Sequence, residues 1–177
     1  RAYVLYRERR SQERAAQTQA QIAEHRLNMS VDGRMVPLDE SWLRDIVASA
    51  CAGLDHHVRA EEVLADTVKN LYDGVSQHEL STSLVITART LIEKEPNYSY
   101  AAARLLLDNL RTEALGFLGV AENATQSEMS ELYAKALPVY INRGIDLELI
   151  APGLRDYDMD ALGKAILPER DLQFGYL

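Results

Sequence analysis

Apolar and polar positions change period along this chain, and each change marks an element. Leu27, Met29 and Val31 alternate with polar residues, Asp32-Gly33 intervenes, and Met35, Val36 and Leu38 follow. An Asp-Gly pair between two short apolar runs signals a hairpin, because both residues tolerate the backbone that tight turns demand. A small two-stranded ribbon is predicted over residues 27–38. Ahead of it, residues 2–26 read as one long helix dominated by Arg, Glu, Gln and Ala. Its apolar positions (Tyr3, Val4, Leu5, Tyr6) cluster at the start, and the rest is polar on every side, the pattern of a bridging helix.

Beyond the ribbon the period becomes helical. Asp39 or Ser41 can cap a helix running to about Leu54, and a second is predicted from Glu61 to Tyr72, ending near Asp73-Gly74. Ser76-Gln77-His78-Glu79 reads as a capping box. The helix it opens carries Leu80, Leu84, Ala88, Leu91 and Ile92 at helical spacing and stops before Pro96. Tyr100–Leu115 follows, with Ala103, Leu106 and Leu110 on one stripe. The fold class is therefore mainly α: a small β-hairpin plus about four helices over 27–116, then further α-helices. Residues 116–125 read as a linker. Thr125-Gln126-Ser127-Glu128 is a second capping box, opening a helix to Arg143-Gly144 with Leu132, Ala136, Val139 and Tyr140 on one face and Gly144 as its C-terminal cap. Short helical pieces are expected at 147–150, at 160–166 and from Asp171.

Composition narrows the function. About half the residues are apolar and 26% are charged, enough for a packed core and unlike a disordered tail. A net charge of −8 argues against a nucleic-acid partner, which needs clustered positive charge. A small anion remains feasible with a few local cations. No apolar run approaches the roughly 20 residues of a membrane span, and no leader peptide is visible. The single cysteine, Cys51, cannot form an internal disulfide or a four-ligand zinc site; it reads as a small buried hydrophobe and fits a reducing, cytoplasmic setting. The chain opens on Arg1 and closes amid apolar residues, so an internal segment of a longer polypeptide is expected.

Other chemistry-bearing residues read blandly. Adjacent histidines rarely converge on one ion, so His56-His57 reads as an exposed loop and no metal site is expected. His25 and His78 read as surface residues. Asp156, Asp158 and Asp160 alternate without the glycine a calcium loop needs and read as a helix start. Arg7, Arg9, Arg10 and Arg14, interspersed with Glu8 and Glu13, read as a solvated helix face. Tyr98 and Tyr100 are expected in the core, with hydroxyls reaching the surface.

Three passages carry a resemblance: Val31-Asp32-Gly33-Arg34 leading into an amphipathic helix; Asn70-Leu71-Tyr72-Asp73-Gly74-Val75; and Asn97-Tyr98-Ser99-Tyr100-Ala101-Ala102-Ala103-Arg104-Leu105-Leu106-Leu107, with Leu110-Arg111 beyond. In this order they resemble the ATP-cone that precedes the catalytic barrel of ribonucleotide reductase large (alpha) subunits. Leu132-Tyr133 to Tyr140, Gly144, Leu147, Leu149 and Tyr157-Asp158 resemble the segment just after the cone in the aerobic class I enzyme. Ala2 to Arg10 looks like the last helix of another cone. The resemblance implies the end of a preceding cone and a linking helix at 1–26, a second cone at 27–116, and the helical start of the catalytic domain at 117–177.

That family makes deoxyribonucleotides for DNA synthesis under allosteric control by ATP and dATP. It implies a radical-generating small (beta) subunit as partner and self-association of large subunits. The catalytic cysteines and carboxylate of the family lie in the barrel, so no catalytic residue and no cofactor is expected in this segment. Holding a triphosphate requires several cations, because about four negative charges must lose water. The family's cone supplies them from fixed places, and at those places this chain carries Ser30, Val31, Trp42, Gln77, Ser81, Asn109 and Thr112. The resemblance therefore implies a cone whose nucleotide positions are vacated. A cone-type transcriptional regulator would pair the cone with a four-cysteine zinc ribbon, which one cysteine and an acidic balance disfavour. A helical interaction module without nucleotide is the other alternative.

Overall fold

The computed structural model describes residues 27–31 and 33–176. The helix expected at 2–26, the Asp32 turn position, and the surface reading of His25 lie outside the described residues. Two compact units emerge: one up to Leu105 together with Gly175 and Tyr176, the other Leu106–Phe174.

In the first unit the expected ribbon forms from β1 (Asn28–Val31) and β2 (Arg34–Pro37), antiparallel, with Met29 opposite Val36. Gly33 takes φ +76°, the left-handed conformation that a residue with Cβ resists. A third strand, β3 (Val75–Ser76), pairs parallel to β1, giving the order β2-β1-β3. Two residues are too short to show a period, so sequence patterning does not reveal it. Tertiary contacts install it: Gly74 N–H donates to the Asn28 carbonyl at 2.8 Å, and Asp73 Oδ1 accepts from Asn28 N and Nδ2.

Helices α1 (Glu40–Cys51), α2 (Ala60–Asn70) and α3 (Gln77–Thr90) follow, the last extended by a 3-10 turn at Leu91–Glu93. Asp39 caps α1, and the Ser76/Glu79 box caps α3 reciprocally, as their spacing predicts. Leu43, Val47, Val63, Leu80, Leu84 and Ala88 bury their side chains.

The next helix, α4 (Tyr98–Leu118), is longer than expected at both ends. Its buried residues include Tyr98, Ala101, Ala102, Ala103 and Leu105; of the expected stripe Ala103 is buried, but Leu106 is half-buried and Leu110 exposed, so the buried face is rotated toward Ala101, Ala102 and Leu105. Tyr98 is in the core, but its hydroxyl stays inside, accepting from Arg59 N–H at 2.9 Å; Tyr100 is 37% exposed.

In the second unit, α5 (Met129–Asp146), a 3-10 turn (Pro152–Asp156), α6 (Met159–Ala165) and a 3-10 segment (Pro168–Gln173) follow the end of α4. Leu115, Ala124, Met129 and Ala136 form the core. The second capping box is only half made. Glu128 accepts from Thr125 N and Oγ1, but Glu128 N–H turns to the Thr125 carbonyl, and α5 begins a turn later than expected. Gly144 does not end the helix. It sits inside α5 because a Cβ there would lie 2.8 Å from Ile150 Cδ1. The positive φ falls on Glu148, and 147–150 is a turn rather than a helical piece. Val139 and Tyr140, expected on the packed face, are exposed. Asp158 caps α6, accepting from Ala161 N–H at 3.0 Å. Among the described residues no helix is long and apolar enough to cross a membrane.

Candidate functional site

Five of the seven mapped positions fall in the first unit. Ser30 lies on β1 opposite Met35 and, through the parallel pairing, beside Ser76. Since Ser76 is also the N-cap of α3, the sheet brings Ser30 to that helix's N-terminus. Gln77 is the first residue of α3 and exposed; Ser81, one turn on, is half-buried on the same face. Val31 closes β1 opposite Arg34, an exposed cation at the end of the ribbon. Trp42 is half-buried in the first turn of α1. Asn109 and Thr112 belong to the second unit, three residues apart on α4. Thr112 Oγ1 spends its proton on its own helix, donating to the Asp108 carbonyl at 3.1 Å.

The local charge at both helix starts is negative. Asp39 Oδ1 accepts from Ser41 Oγ at 2.6 Å, from Ser41 N at 2.9 Å and from Trp42 N at 3.1 Å. The Ser41 hydroxyl, then the Trp42 amide, hold its carboxyl below the usual range. Glu79 Oε2 accepts from Ser76 N and Oγ, and the Ser76 amide, then its hydroxyl, then the Tyr72 hydroxyl, lower that carboxyl too. The Glu79 contact in turn raises the Tyr72 phenol. At α1 the Ser41 and Trp42 amides are thus already taken by the Asp39 carboxylate, and at α3 the Glu79 amide is taken by the Ser76 hydroxyl.

The remaining sequence candidates find structural places. Cys51 is half-buried, and burial pushes its thiol up to about 11, the inert direction. Arg104 Nη1 donates to the Ala50 and Ala52 carbonyls at 3.1 and 2.7 Å, closing the C-terminus of α1. The His56 and His57 rings are exposed, as expected, yet they lie 3.8 Å apart, and with Asp55 their donor atoms fall within 4.8 Å of one another. An Asx turn causes this convergence of neighbours: Asp55 Oδ1 accepts His57 N–H at 2.9 Å and sits 3.2 Å from His56 Nδ1.

One cluster has no counterpart in the sequence reading. In the second unit Asp171 Oδ2 accepts from Tyr133 OH at 2.9 Å, from Arg111 Nη2 at 3.4 Å and from Gln126 Nε2 at 3.5 Å. Gln126 Oε1 accepts from Arg111 Nη2, and Gln126 Nε2 donates to the Pro168 carbonyl at 2.7 Å. Arg111 and Tyr133 also border an apolar groove of about 350 Å³ lined by Leu107, Leu110, Leu118, Leu137, Tyr140 and Ile166. Patterning could flag Arg111 only as a charge in an apolar stretch; its partners lie up to 60 positions away.

Residues 30–113 match the ATP cone domain. Over 99% of its length the chain is 34% identical to the ribonucleoside-diphosphate reductase subunit alpha of Chlamydia trachomatis and 32% identical to that of Chlamydia pneumoniae. Over 82% of its length it is 28% identical to the ribonucleoside-diphosphate reductase large chain of Schizosaccharomyces pombe. The chain spans 17% of the length of each of these relatives. Residues 30–113 are thus similar to the ATP cone domain, and the chain, along nearly its whole length, is similar to one portion of ribonucleoside-diphosphate reductase large subunits.

Proposed function

We propose that this chain is the regulatory part of an aerobic ribonucleoside-diphosphate reductase large subunit, and that its own cone has lost nucleotide binding. One observation carries the second half. The scaffold residues of the cone are kept (Asp73, Gly74, Tyr98, Ala101, Ala102, Arg104), while Ser30, Val31, Trp42, Gln77, Ser81, Asn109 and Thr112 are all uncharged. Each charged hydrogen bond to phosphate is worth about 1.5–3 kcal/mol, so losing several removes affinity by many orders of magnitude. In this reading residues 27–116 serve as a second cone and 117–177 open the catalytic domain. Residues 1–26 end a preceding cone, where the working ATP/dATP switch resides. The radical-generating small subunit, other copies of the large subunit and a cytoplasmic setting belong to the complete enzyme.

Similarity over 99% of the chain, well past the cone, supports this reading over a cone joined to a zinc ribbon, which would share only residues 30–113. No nucleotide reduction is expected of this chain alone, since that chemistry needs a thiyl-radical cysteine and a redox cysteine pair and the chain has one cysteine. Calorimetric titration of the 177-residue chain with dATP tests the central claim. No heat of binding up to millimolar ligand is expected; micromolar binding overturns it.

A further inference from the structure

We propose that Asp171 fastens the end of the cone's last helix to the 3-10 segment Pro168–Gln173, forming a polar clasp through which displacement of either is felt at the other. Only its regulatory meaning rests on the function proposed above; the clasp itself does not. Its members come from four places in the chain: Arg111 on α4, Gln126 ahead of α5, Tyr133 on α5, and Asp171. Arg111 lies inside the match to the ATP cone domain, whereas Asp171 lies well beyond it.

Burial makes the arrangement obligatory. The Arg111 and Asp171 side chains are only 10% and 16% exposed, and charges taken from water need partners. All three donors converge on one carboxylate oxygen. Gln126 adds a second hold: its Nε2 reaches both the Pro168 carbonyl and Asp171 while its Oε1 receives Arg111. The segment is thus gripped near both ends. Burial, then the Asp171 contact, pushes the Tyr133 phenol up to about 12, so it remains a donor throughout the neutral range. Apolar packing lets elements slide past each other; converging hydrogen bonds are directional and do not. Arg111 Nε is buried without a partner among the described residues, so the network stops short of full satisfaction.

Hydrogen exchange on the whole 177-residue chain tests the link. Asp171→Asn is expected to raise exchange about tenfold both in 168–173 and in the 106–118 part of α4, leaving 43–105 at wild-type rates. Arg111→Gln is expected to do the same in the opposite direction along the chain, since coupling is reciprocal. The double variant is then no worse than either single one. An effect of Asp171→Asn confined to 168–173, or single effects that multiply in the double variant, overturns the proposal. Should Asp171→Asn unfold the second unit, Tyr133→Phe, which removes one neutral donor, replaces it: a rise in both segments supports the clasp and a rise in one refutes it. Binding of dATP in the calorimeter would defeat the vacated-cone reading and leave this result untouched.

Discussion

Tyr98 shows how much one side chain can hold. It is 1% exposed, and its hydroxyl accepts the Arg59 backbone N–H at 2.9 Å, just where the chain enters α2. Tyr98→Phe keeps the ring and orphans that amide, at a cost of about 1–3 kcal/mol. Urea unfolding followed by circular dichroism should show a lower midpoint with an unchanged slope; an unchanged midpoint would mean that Arg59 finds another acceptor. The ring's burial is legible in the sequence, but the hydroxyl's partner is not, because Arg59 lies 39 positions away and nothing local couples them. The seven mapped positions differ. Their lack of charge is a sequence fact, while the neighbourhood of Ser30 and Gln77 is a product of the β1–β3 pairing.

At the scale of elements, caps and close approaches decide where helices sit. The carboxyls of Asp39 and Glu79 titrate below their ordinary values, so their stabilisation is complete above the normal carboxylate range and is lost as pH falls through the lowered values. Hydrogen exchange in the first turns of α1 and α3 should therefore accelerate on acidification below about pH 4. Glu79→Gln, which preserves the reciprocal cap without the charge, should remove that dependence for α3 alone. Gly163 marks where α6 meets α5: a Cβ there would lie 2.8 Å from Ala134 Cα and 3.2 Å from its carbonyl oxygen. Backbone cannot yield as a side chain can, so Gly163→Ala should cost about 1–3 kcal/mol. Gly116→Ala, on α4 with nothing within 4 Å, should be neutral or stabilising by up to about 1 kcal/mol. Thermal unfolding of the two variants side by side separates packing from propensity. The capping boxes teach the same lesson: identical spacing yields a full box at Ser76 and half of one at Thr125, because the residues after Thr125 turn before they coil.

For the whole molecule, nucleotide sensitivity is the property that matters. A site with micromolar affinity, given 1 mM dATP, would stabilise the fold by about 4 kcal/mol and raise its melting temperature visibly. For this chain the melting temperature should not move with dATP, and a rise of several degrees would restore the cone to the nucleotide-binding kind. Helices α1, α2, α3 and α6, the β1–β2 ribbon and the uncharged character of the seven mapped positions are all written locally, in a 3.6 or 2 residue period, in capping residues, or in the absence of Lys and Arg at given positions. The amino-acid order alone therefore determined a mainly helical chain, similar to an ATP cone over part of its length, with uncharged residues at Ser30, Val31, Trp42, Gln77, Ser81, Asn109 and Thr112. The third strand, the rotated buried face of α4 and the convergence of Arg111, Gln126 and Tyr133 on Asp171 were decided only by tertiary structure. Each depends on which distant surfaces meet, and a pairwise meeting across tens of residues leaves no periodic trace in the chain.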